Sequence, residues 1–536
     1  MRVTMEAGAA APERPDPSAG GRRWWPAGVM VVSGLAQYFA VPPYGFWPLS
    51  LVGVALFVLA VRGVRWRRAA RLGLVGGLSF FVPLLVWLTP VHVVAWLALA
   101  GVQALFFVPL GVGVALVARL PYAPVWIAGV WVLQELARGR FPLDGFTWGR
   151  LAFSQSDSPF TGLAAIGGAP LVSFVVAFAG ALLAYGRLAW RQDRGRGVVA
   201  GFAAGAVALT VCGLVVPRAS GGDEKTVAVI QGNVPQRGLN PLGQRKAVLG
   251  NHVRQMHRLA ADVRAGRLER PDLVVLPENS SDIDPFGDSD AYAAIDGGVR
   301  DLGVPTLVGA VVRNAEGGPE NRAIVWDPRT GPGTHYAKRH LVPFGEYMPF
   351  RSVVSLAFGD YTALVPRDLV PGTRSPVLRL GETNVGAVYC FEIAYDALVR
   401  DAAAGGEVLA VLTNNATYGG TPQPEQQLAM TRLRAVEHAR PIAIAATSGI
   451  SAIIDADGRI LDRSTEFTAD IEVRRVRAGA DATLATRLGG APEWVLAALG
   501  AGAIAVALAR EIARRRGGGE DRDAAPEEGA EEAERS

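Results

Sequence analysis

Asn384-Val-Gly-Ala-Val-Tyr-Cys390 is an apolar run that ends on a thiol, and residues 392–404 that follow it have the composition of a helix. A buried strand that delivers a reactive side chain at its end and then turns into a helix is the unit of a layered α/β domain. Cys390 is one of two cysteines in 536 residues. The other, Cys212, lies in a stretch of bilayer character, and a disulfide between a bilayer residue and a strand end is geometrically implausible. Cys390 is therefore expected to be a free thiol, either buried filler or a nucleophile, and unpaired cysteine is more often filler.

The same pattern recurs on both sides of this stretch. Thr226-Val-Ala-Val-Ile-Gln-Gly-Asn233 reads as a first buried strand that turns at Gly-Asn, and 242–265 as a helix. Leu273-Val-Val-Leu276 is a second strand, stopped by Pro277 with Glu278 at its end. Strands are also expected at 305–312, 322–326 and 334–338, the last ending on Lys338. After Cys390 come a strand at 408–412, the loop 413–420, a helix over 424–440, a strand at 442–447 and a hairpin turning at 455–458. Glu278, Lys338 and Cys390 thus each terminate a strand, and strand ends in α/β sheets converge on a crevice. A carboxylate that takes a proton, an ammonium that stabilises an oxyanion and a thiol are together the components of acyl transfer through a thioester. Lys338 would also favour the thiolate. Taken singly, Glu278 and Lys338 read more readily as solvated surface charges.

The histidines add neither a Cys–His pair nor a metal site. His252 and His257 are five apart, as are His335 and His340, a spacing that does not put a pair on one helical face. His438, beside Glu437 and Arg440, reads as packing or a surface group. No cofactor and no metal are expected.

Half of the residues are hydrophobic, and they are unevenly spread. Long apolar runs fill 24–217, mixed α/β composition fills 226–475, and one more run spans 493–509. This describes a membrane domain, an inserted domain and a closing span. Residues 1–23 and the basic then acidic tail 510–536 are expected to be disordered. A hydrocarbon core of about 30 Å needs about 20 residues per helix. Eight candidates fit, at 24–41, 47–62, 72–91, 94–118, 124–139, 162–186, 198–217 and 493–509, seven of them before the insert. The fifth is interrupted by Glu135 and Arg138, whose charges face either the bundle interior or the lipid–water boundary.

Arginines cluster at 22–23, 62–71, 187–196 and 510–516, all on one side of an eight-span bundle, while the opposite loops at 41–47 and around Pro90 carry no Lys or Arg. Retained loops carry the positive charge, so both termini are expected in the cytoplasm and the inserted domain outside. No cleavable leader is evident. A transporter would more often show an internal repeat and intramembrane charges, and neither is clear. Arginines placed beside apolar runs rather than along a soluble face argue against a nucleic-acid partner.

Three segments carry a family resemblance. Pro277-Glu278-Asn279, Tyr336-Ala-Lys338-Arg-His-Leu-Val-Pro-Phe-Gly-Glu346-Tyr-Met-Pro349 and Val388-Tyr-Cys390-Phe-Glu392-Ile resemble the Glu-Lys-Cys motifs of the nitrilase superfamily. More narrowly, the chain over about 24–510 is similar to bacterial apolipoprotein N-acyltransferases, including Gln231-Gly-Asn-Val-Pro-Gln236 and the membrane-edge stretch Gly145-Phe-Thr-Trp-Gly-Arg-Leu-Ala-Phe-Ser-Gln155. The chain departs from that pattern in having no tryptophan after Gln236 and in keeping one aromatic, Tyr418, in the loop after Asn414.

The resemblance implies an extracytoplasmic nitrilase-like α-β-β-α sandwich carried by a multi-span helical domain of the cytoplasmic membrane. It implies Glu278 as general base, Lys338 as oxyanion stabiliser and Cys390 as nucleophile, with Glu346 and Glu392 as supporting carboxylates. Phe391 takes the aromatic position whose backbone N–H points toward the oxyanion, and Tyr347, Asn414 and Tyr418 are candidate substrate contacts. The implied partners are a phospholipid acyl donor and a diacylglyceryl-lipoprotein precursor, whose N-terminal amine is the acceptor; nothing demands more than a monomer. A membrane-tethered amidase would use the same three residues with water as acceptor, and a receptor would use the insert only for binding. The apolar stretch 350–365 reads either as core or as a lipid-facing lid that bends at Gly359. As a lid, together with the membrane-edge stretch, it favours acyl transfer over hydrolysis, and the complete triad disfavours a receptor.

Overall fold

The computed structural model describes residues 17–191, scattered positions from 201 to 216, and residues 221–234, 245–357 and 365–523. In β1 (Asp223–Gln231), Val227 and Val229 pack into one apolar cluster while Ala228 and Ile230 pack into another. Successive strand side chains point to opposite faces, so a strand buried on both faces lies between two layers. β7 (Thr383–Tyr389) repeats the pattern: Val385, Ala387 and Tyr389 join Val227 and Val229, whereas Val388 faces helix residues.

Two six-stranded sheets therefore meet face to face. The first has the order β12 (Asp470–Ala478), β1, β2 (Leu273–Val275), β3 (Thr306–Arg313), β4 (Pro319–Asp327), β5 (Gly331–Ala337). The second runs β11 (Ile460–Arg463), β10 (Ala452–Ile454), β9 (Ile442–Ala446), β8 (Val408–Thr413), β7, β6 (Val377–Leu380). Helices Arg245–Arg264 (α8) and Ser289–Leu302 (α9) cover the first sheet, and Asp396–Gly405 (α11) and Gln423–His438 (α12) cover the second. The result is the α-β-β-α order that the resemblance implied. The short helix α10 is Arg351–Ala357; residues 358–364, with the Gly359 hinge, lie outside the described residues.

Within the two sheets and the helices that cover them, three elements had no counterpart in the sequence reading: β6, α9 and β12. α9 is set by its ends, since the Asp288 carboxylate accepts the N–H groups of Asp290 and Ala291 and Gly303 closes the helix at φ +65°. β12 pairs antiparallel with β1 from Asp223↔Ala478 to Gln231↔Asp470, so the domain runs past 475. The helix expected over 392–404 is instead a 3-10 turn, Cys390–Ala394, followed by α11.

The apolar half folds into helices α1 (Pro17–Ala40), α2 (Pro48–Val61), α3 (Trp66–Leu84), α4 (Val93–Leu105), α5 (Phe107–Val117), α6 (Ala123–Arg138) and α7 (Ala164–Arg191), and after the sandwich come α13 (Leu484–Leu488) and α14 (Ala491–Asp523). Helix thus replaces the disorder expected at 17–23 and 510–523; residues 1–16 and 524–536 lie outside the described residues. Among the described residues, three helical segments are long and apolar enough to cross a membrane: Val93–Val117, Thr161–Trp190 and Ala491–Arg514. Pro48–Val61 is apolar but shorter. α3 opens on arginines and α6, with Glu135 and Arg138, is only 16 residues long, so neither belongs to that class. The candidate span 198–217, with Cys212, falls largely outside the described residues.

α14 packs on α6 backbone to backbone. A Cβ on Gly129 would come within 2.7 Å of the Gly500 nitrogen, and one on Gly500 within 2.4 Å of the Gly129 carbonyl carbon. Small residues permit such close approach between apolar helices.

Candidate active site

β1, β2 and β3 run parallel, and two antiparallel steps through β4 bring β5 into the same direction. The carboxyl ends of β2 and β5 therefore lie together. β7, β8 and β9 are parallel in the other sheet, and their ends meet the first set. Glu278 lies three residues past β2, and Lys338 and Cys390 directly follow β5 and β7.

Glu278 is buried. Its Oε1 accepts from Lys338 Nζ at 3.0 Å and Asn321 Nδ2 at 2.7 Å, and its Oε2 accepts the Asn414 N–H at 3.1 Å. Asn279 behind it sits at φ +56°, a left-handed conformation that asparagine tolerates. Burial raises the Glu278 pKa to about 7, with Glu346 adding to the rise and Lys338 opposing it.

Lys338 Nζ also donates to Glu346 Oε1 at 2.8 Å and lies 5.6 Å from the centre of the Tyr389 ring. Burial alone would discharge this amine, but Glu278 and Glu346 outweigh it and hold the pKa well above the ordinary value. Glu346 is fixed in turn by the Val342 N–H, which donates to Oε2 at 2.7 Å.

Cys390 is half-buried at the start of its 3-10 turn. Burial, then the charge of Glu278, pushes the thiol up to about 12, against the opposing pull of Lys338. Lys338 acts in the expected direction and loses, so the resting group is a thiol rather than a thiolate. Such a thiol would attack a carbonyl only with a general base to take its proton, and a carboxylate near 7 suits that task.

Glu392 is a clamp between the sheets. Its Oε1 accepts from the Tyr336 hydroxyl at 2.9 Å and from the N–H groups of Arg339 and His340 at 2.8 and 3.0 Å; its Oε2 accepts the Tyr389 N–H at 2.9 Å. The demand of those donors explains why the chain leaves β7 in a 3-10 turn rather than an α-helix. Burial pushes its pKa up, and the N–H donors oppose the shift.

A buried amide network under the thiol escaped sequence reading. Gln427 Nε2 donates to the Cys390 carbonyl at 3.3 Å and to Thr413 Oγ1 at 3.1 Å, and its Oε1 accepts from Asn415 Nδ2 at 2.9 Å, with the Cys390 Sγ 4.0 Å away. The available signal was Gln423 and Gln427, two amides four apart on one face of a helix.

The three candidate substrate contacts fall in different places. Asn414 serves Glu278 through its backbone and Asn279 through its side chain at 3.3 Å. Tyr418 packs edge-on against Trp87 at 5.3 Å, at the junction with the helical bundle. Tyr347 is half-buried, and its phenol pKa is raised by burial and by Asp144 of the membrane-edge region.

The membrane-edge stretch is built against the Cys390–Ala394 turn. Phe391 lies over Trp148 (6.3 Å between centroids, 15° between planes) and Phe146 (5.8 Å). Thr147 Oγ1 donates to the Ala394 carbonyl at 2.8 Å, the Tyr395 hydroxyl to the Gly145 carbonyl at 2.8 Å, and Trp148 Nε1 to Gln426 Oε1 at 2.7 Å. From α6, Arg138 holds the carbonyls of Phe146 and Trp148 at 2.8 and 2.6 Å, and Glu135 accepts the Leu151 N–H at 2.9 Å. The charges of the fifth candidate span thus face the interior and fasten the loop on which Phe391 rests.

Comparison with known proteins agrees with this division of the chain. Residues 33–182 match the apolipoprotein N-acyltransferase N-terminal domain, and residues 226–481 match the carbon-nitrogen hydrolase family. The chain is 40% identical over 511 residues to the apolipoprotein N-acyltransferase of Mycolicibacterium smegmatis, covering 90% of this chain and 85% of that one. It is 31% identical over 478 residues to the apolipoprotein N-acyltransferase of Azotobacter vinelandii, covering 83% and 88%. Among solved structures it is similar to an amidase of the nitrilase superfamily from Nesterenkonia AN1, at 19% identity and a TM-score of 0.35, over 48% of this chain and 93% of that one. With both halves matched and its relatives covered nearly end to end, the chain belongs to the apolipoprotein N-acyltransferase family.

Proposed function

We propose that the protein moves a fatty acyl chain from a membrane phospholipid to the N-terminal amine of a diacylglyceryl-cysteine on a lipoprotein precursor, through a thioester on Cys390. Glu278 takes the Cys390 proton as the sulfur attacks the ester carbonyl. Lys338 and the backbone N–H of Phe391 hold the oxyanion, and its collapse expels the lysophospholipid, whose departing oxygen takes the proton back from Glu278 and leaves it a base again. The amine then attacks the thioester, Glu278 takes its proton, and the amide leaves Cys390 as a thiol. One site serves both lipids in turn.

The observation that carries this reading is the aromatic contact of Phe391 with Trp148 and Phe146, which seats the residue after the nucleophile on the membrane-edge stretch. An acyl chain leaves the bilayer at a cost of about 0.8 kcal/mol per CH₂, so the reacting sulfur must stand at the bilayer boundary. The arginine clusters support an arrangement of eight spans with both termini in the cytoplasm and the sandwich outside. Division into a membrane domain, 24–217, a catalytic domain beginning at 226 and a last span starting near 493 follows the same reading, with the protein acting as a monomer.

Labelled phospholipid tests it. A hydroxylamine-sensitive acyl adduct is expected on Cys390, absent in Cys390→Ala and discharged by a diacylglyceryl-cysteine peptide. An adduct discharged only by water would instead make the protein a hydrolase.

A further inference from the structure

Gln427 is buried on α12, at 3% exposure, and no step above uses it. Its Nε2 donates to the Cys390 carbonyl at 3.3 Å and to Thr413 Oγ1 at 3.1 Å. A peptide carbonyl only accepts, so the nitrogen of this amide, and not its oxygen, must face Cys390. Thr413 can accept from Nε2 because its own proton goes to Asn415 Oδ1, at 2.9 Å. The amide oxygen is fixed from the other side, where Oε1 accepts from Asn415 Nδ2 at 2.9 Å and from Gln423 Nε2 at 3.2 Å. Acceptors on one edge and donors on the other leave the amide a single orientation. Thr413, Asn415 and Gln423 are themselves buried, so water does not compete for these bonds.

The consequence lies across the peptide bond. The Cys390 carbonyl and the Phe391 N–H belong to one planar trans peptide and point in opposite directions, so fixing the first aims the second. α12 covers the face of its sheet turned away from the first sheet, and the first sheet carries Lys338 at the end of β5. A carbonyl drawn toward Gln427 therefore turns the Phe391 N–H toward the Lys338 side.

We propose that Gln427 is a positioning residue for acyl transfer, which holds the Cys390 carbonyl so that the Phe391 N–H is aimed at the oxyanion before the acyl donor arrives. A donor already in place stabilises developing charge without reorganising at the moment of reaction, and that is the source of its effect. The proposal rests on attack by Cys390 on a carbonyl, as in the function proposed above, but not on a lipid as the source of the acyl group.

Two reagents test it together on the full chain in maltoside detergent at pH 8: p-nitrophenyl butyrate, a soluble ester, and iodoacetamide. The ester passes through an oxyanion, in which the sulfur bonds to the carbonyl carbon, Glu278 takes the thiol proton and nitrophenolate leaves with the electron pair of its C–O bond. Iodoacetamide loses iodide from a saturated carbon and forms no oxyanion. Gln427→Met removes the donor, whereas Gln427→Asn keeps an amide but draws it back by one methylene. Both variants should release the Cys390-dependent nitrophenolate burst about a hundredfold more slowly than the parent at saturating ester, with half-saturation unchanged. Alkylation of Cys390 should stay within about threefold of the parent, since no oxyanion donor takes part in it. A burst at the parental rate in either variant would overturn the proposal. So would alkylation slowed as much as the burst, because Gln427 would then hold the sulfur and not the N–H, and so would a parent chain whose burst does not exceed that of Cys390→Ala. A parent that bursts with the ester but takes no label from phospholipid would lose the lipid reading and retain this one.

Discussion

The Tyr336 hydroxyl donates to both oxygens of Glu392, at 2.9 and 3.1 Å, and so ties the end of one sheet to the nucleophile turn of the other. Lys338 stands two residues after Tyr336 and Cys390 two residues before Glu392, so this contact sets the separation of ammonium and thiol. Glu392→Gln replaces one acceptor oxygen with an NH₂ that must face an N–H or a hydroxyl. We expect a loss of about 1–3 kcal/mol in stability, the usual penalty for a buried unsatisfied donor. Thermal unfolding in detergent and the yield of Cys390 thioester should fall together; a variant with parental values for both would remove the clamp.

The pH dependence of acylation should report Glu278. Its pKa is raised from 4.5 to about 7, chiefly by burial, so the carboxyl is protonated and useless as a base below that pH. Single-turnover formation of the Cys390 thioester should fall about tenfold per pH unit below about 7, whereas an ordinary glutamate would act down to about 4.3. Glu278→Gln should abolish the reaction and the limb with it. An acid limb near 4.5 would show that the base is not this buried group.

The thiol should look unreactive when tested by simple alkylation. With Cys390 pushed up to about 12, iodoacetamide should label it slowly at pH 8 even though the same residue is acylated by lipid. The charge of Glu278 contributes to that elevation, so Glu278→Gln lowers the thiol pKa and should speed alkylation above pH 9 while acylation is lost. Rapid labelling of the parent chain at pH 8 would point instead to a resting thiolate.

Much of the site was legible because strand ends are chemically marked: Pro277 stops β2 before Glu278, and apolar runs deliver Lys338 and Cys390. What the sequence hid depends on contacts between distant segments. The Asp470–Ala478 strand alternates buried Val473 and Val476 with arginines that face solvent, so its pairing with β1 leaves only a weak hydrophobic signal. The turn at Cys390–Ala394 looks helical by composition, and only the donors arriving from β5 and its following loop, some 50 residues away, divert Glu392. Glu135 and Arg138 left two orientations open because their shortest hydrogen bonds run to backbone groups of the next loop, to which residue identity gives no clue.

The position of Glu278 also depends on an absent side chain. Gly309 in β3 lies so close to the Pro277–Glu278 backbone that a Cβ there would stand 2.2 Å from the Pro277 carbonyl oxygen and 3.0 Å from the Glu278 Cα. Both obstacles are backbone atoms, which cannot rotate aside as a flexible side chain would. Gly309→Ala must therefore move the segment that carries Glu278, and the 3.0 Å contact with Lys338 and the 3.1 Å contact with the Asn414 N–H should lengthen together. A displacement of about 1 Å in a reacting group costs on the order of a hundredfold in rate, while overpacking of this kind costs about 1–3 kcal/mol in stability. The expected variant is folded, membrane-inserted and about a hundredfold slower in Cys390 acylation, with every member of the triad intact. Acylation at the parental rate in a folded Gly309→Ala chain would mean that Glu278 does not need this geometry, and its assignment as the base would fall.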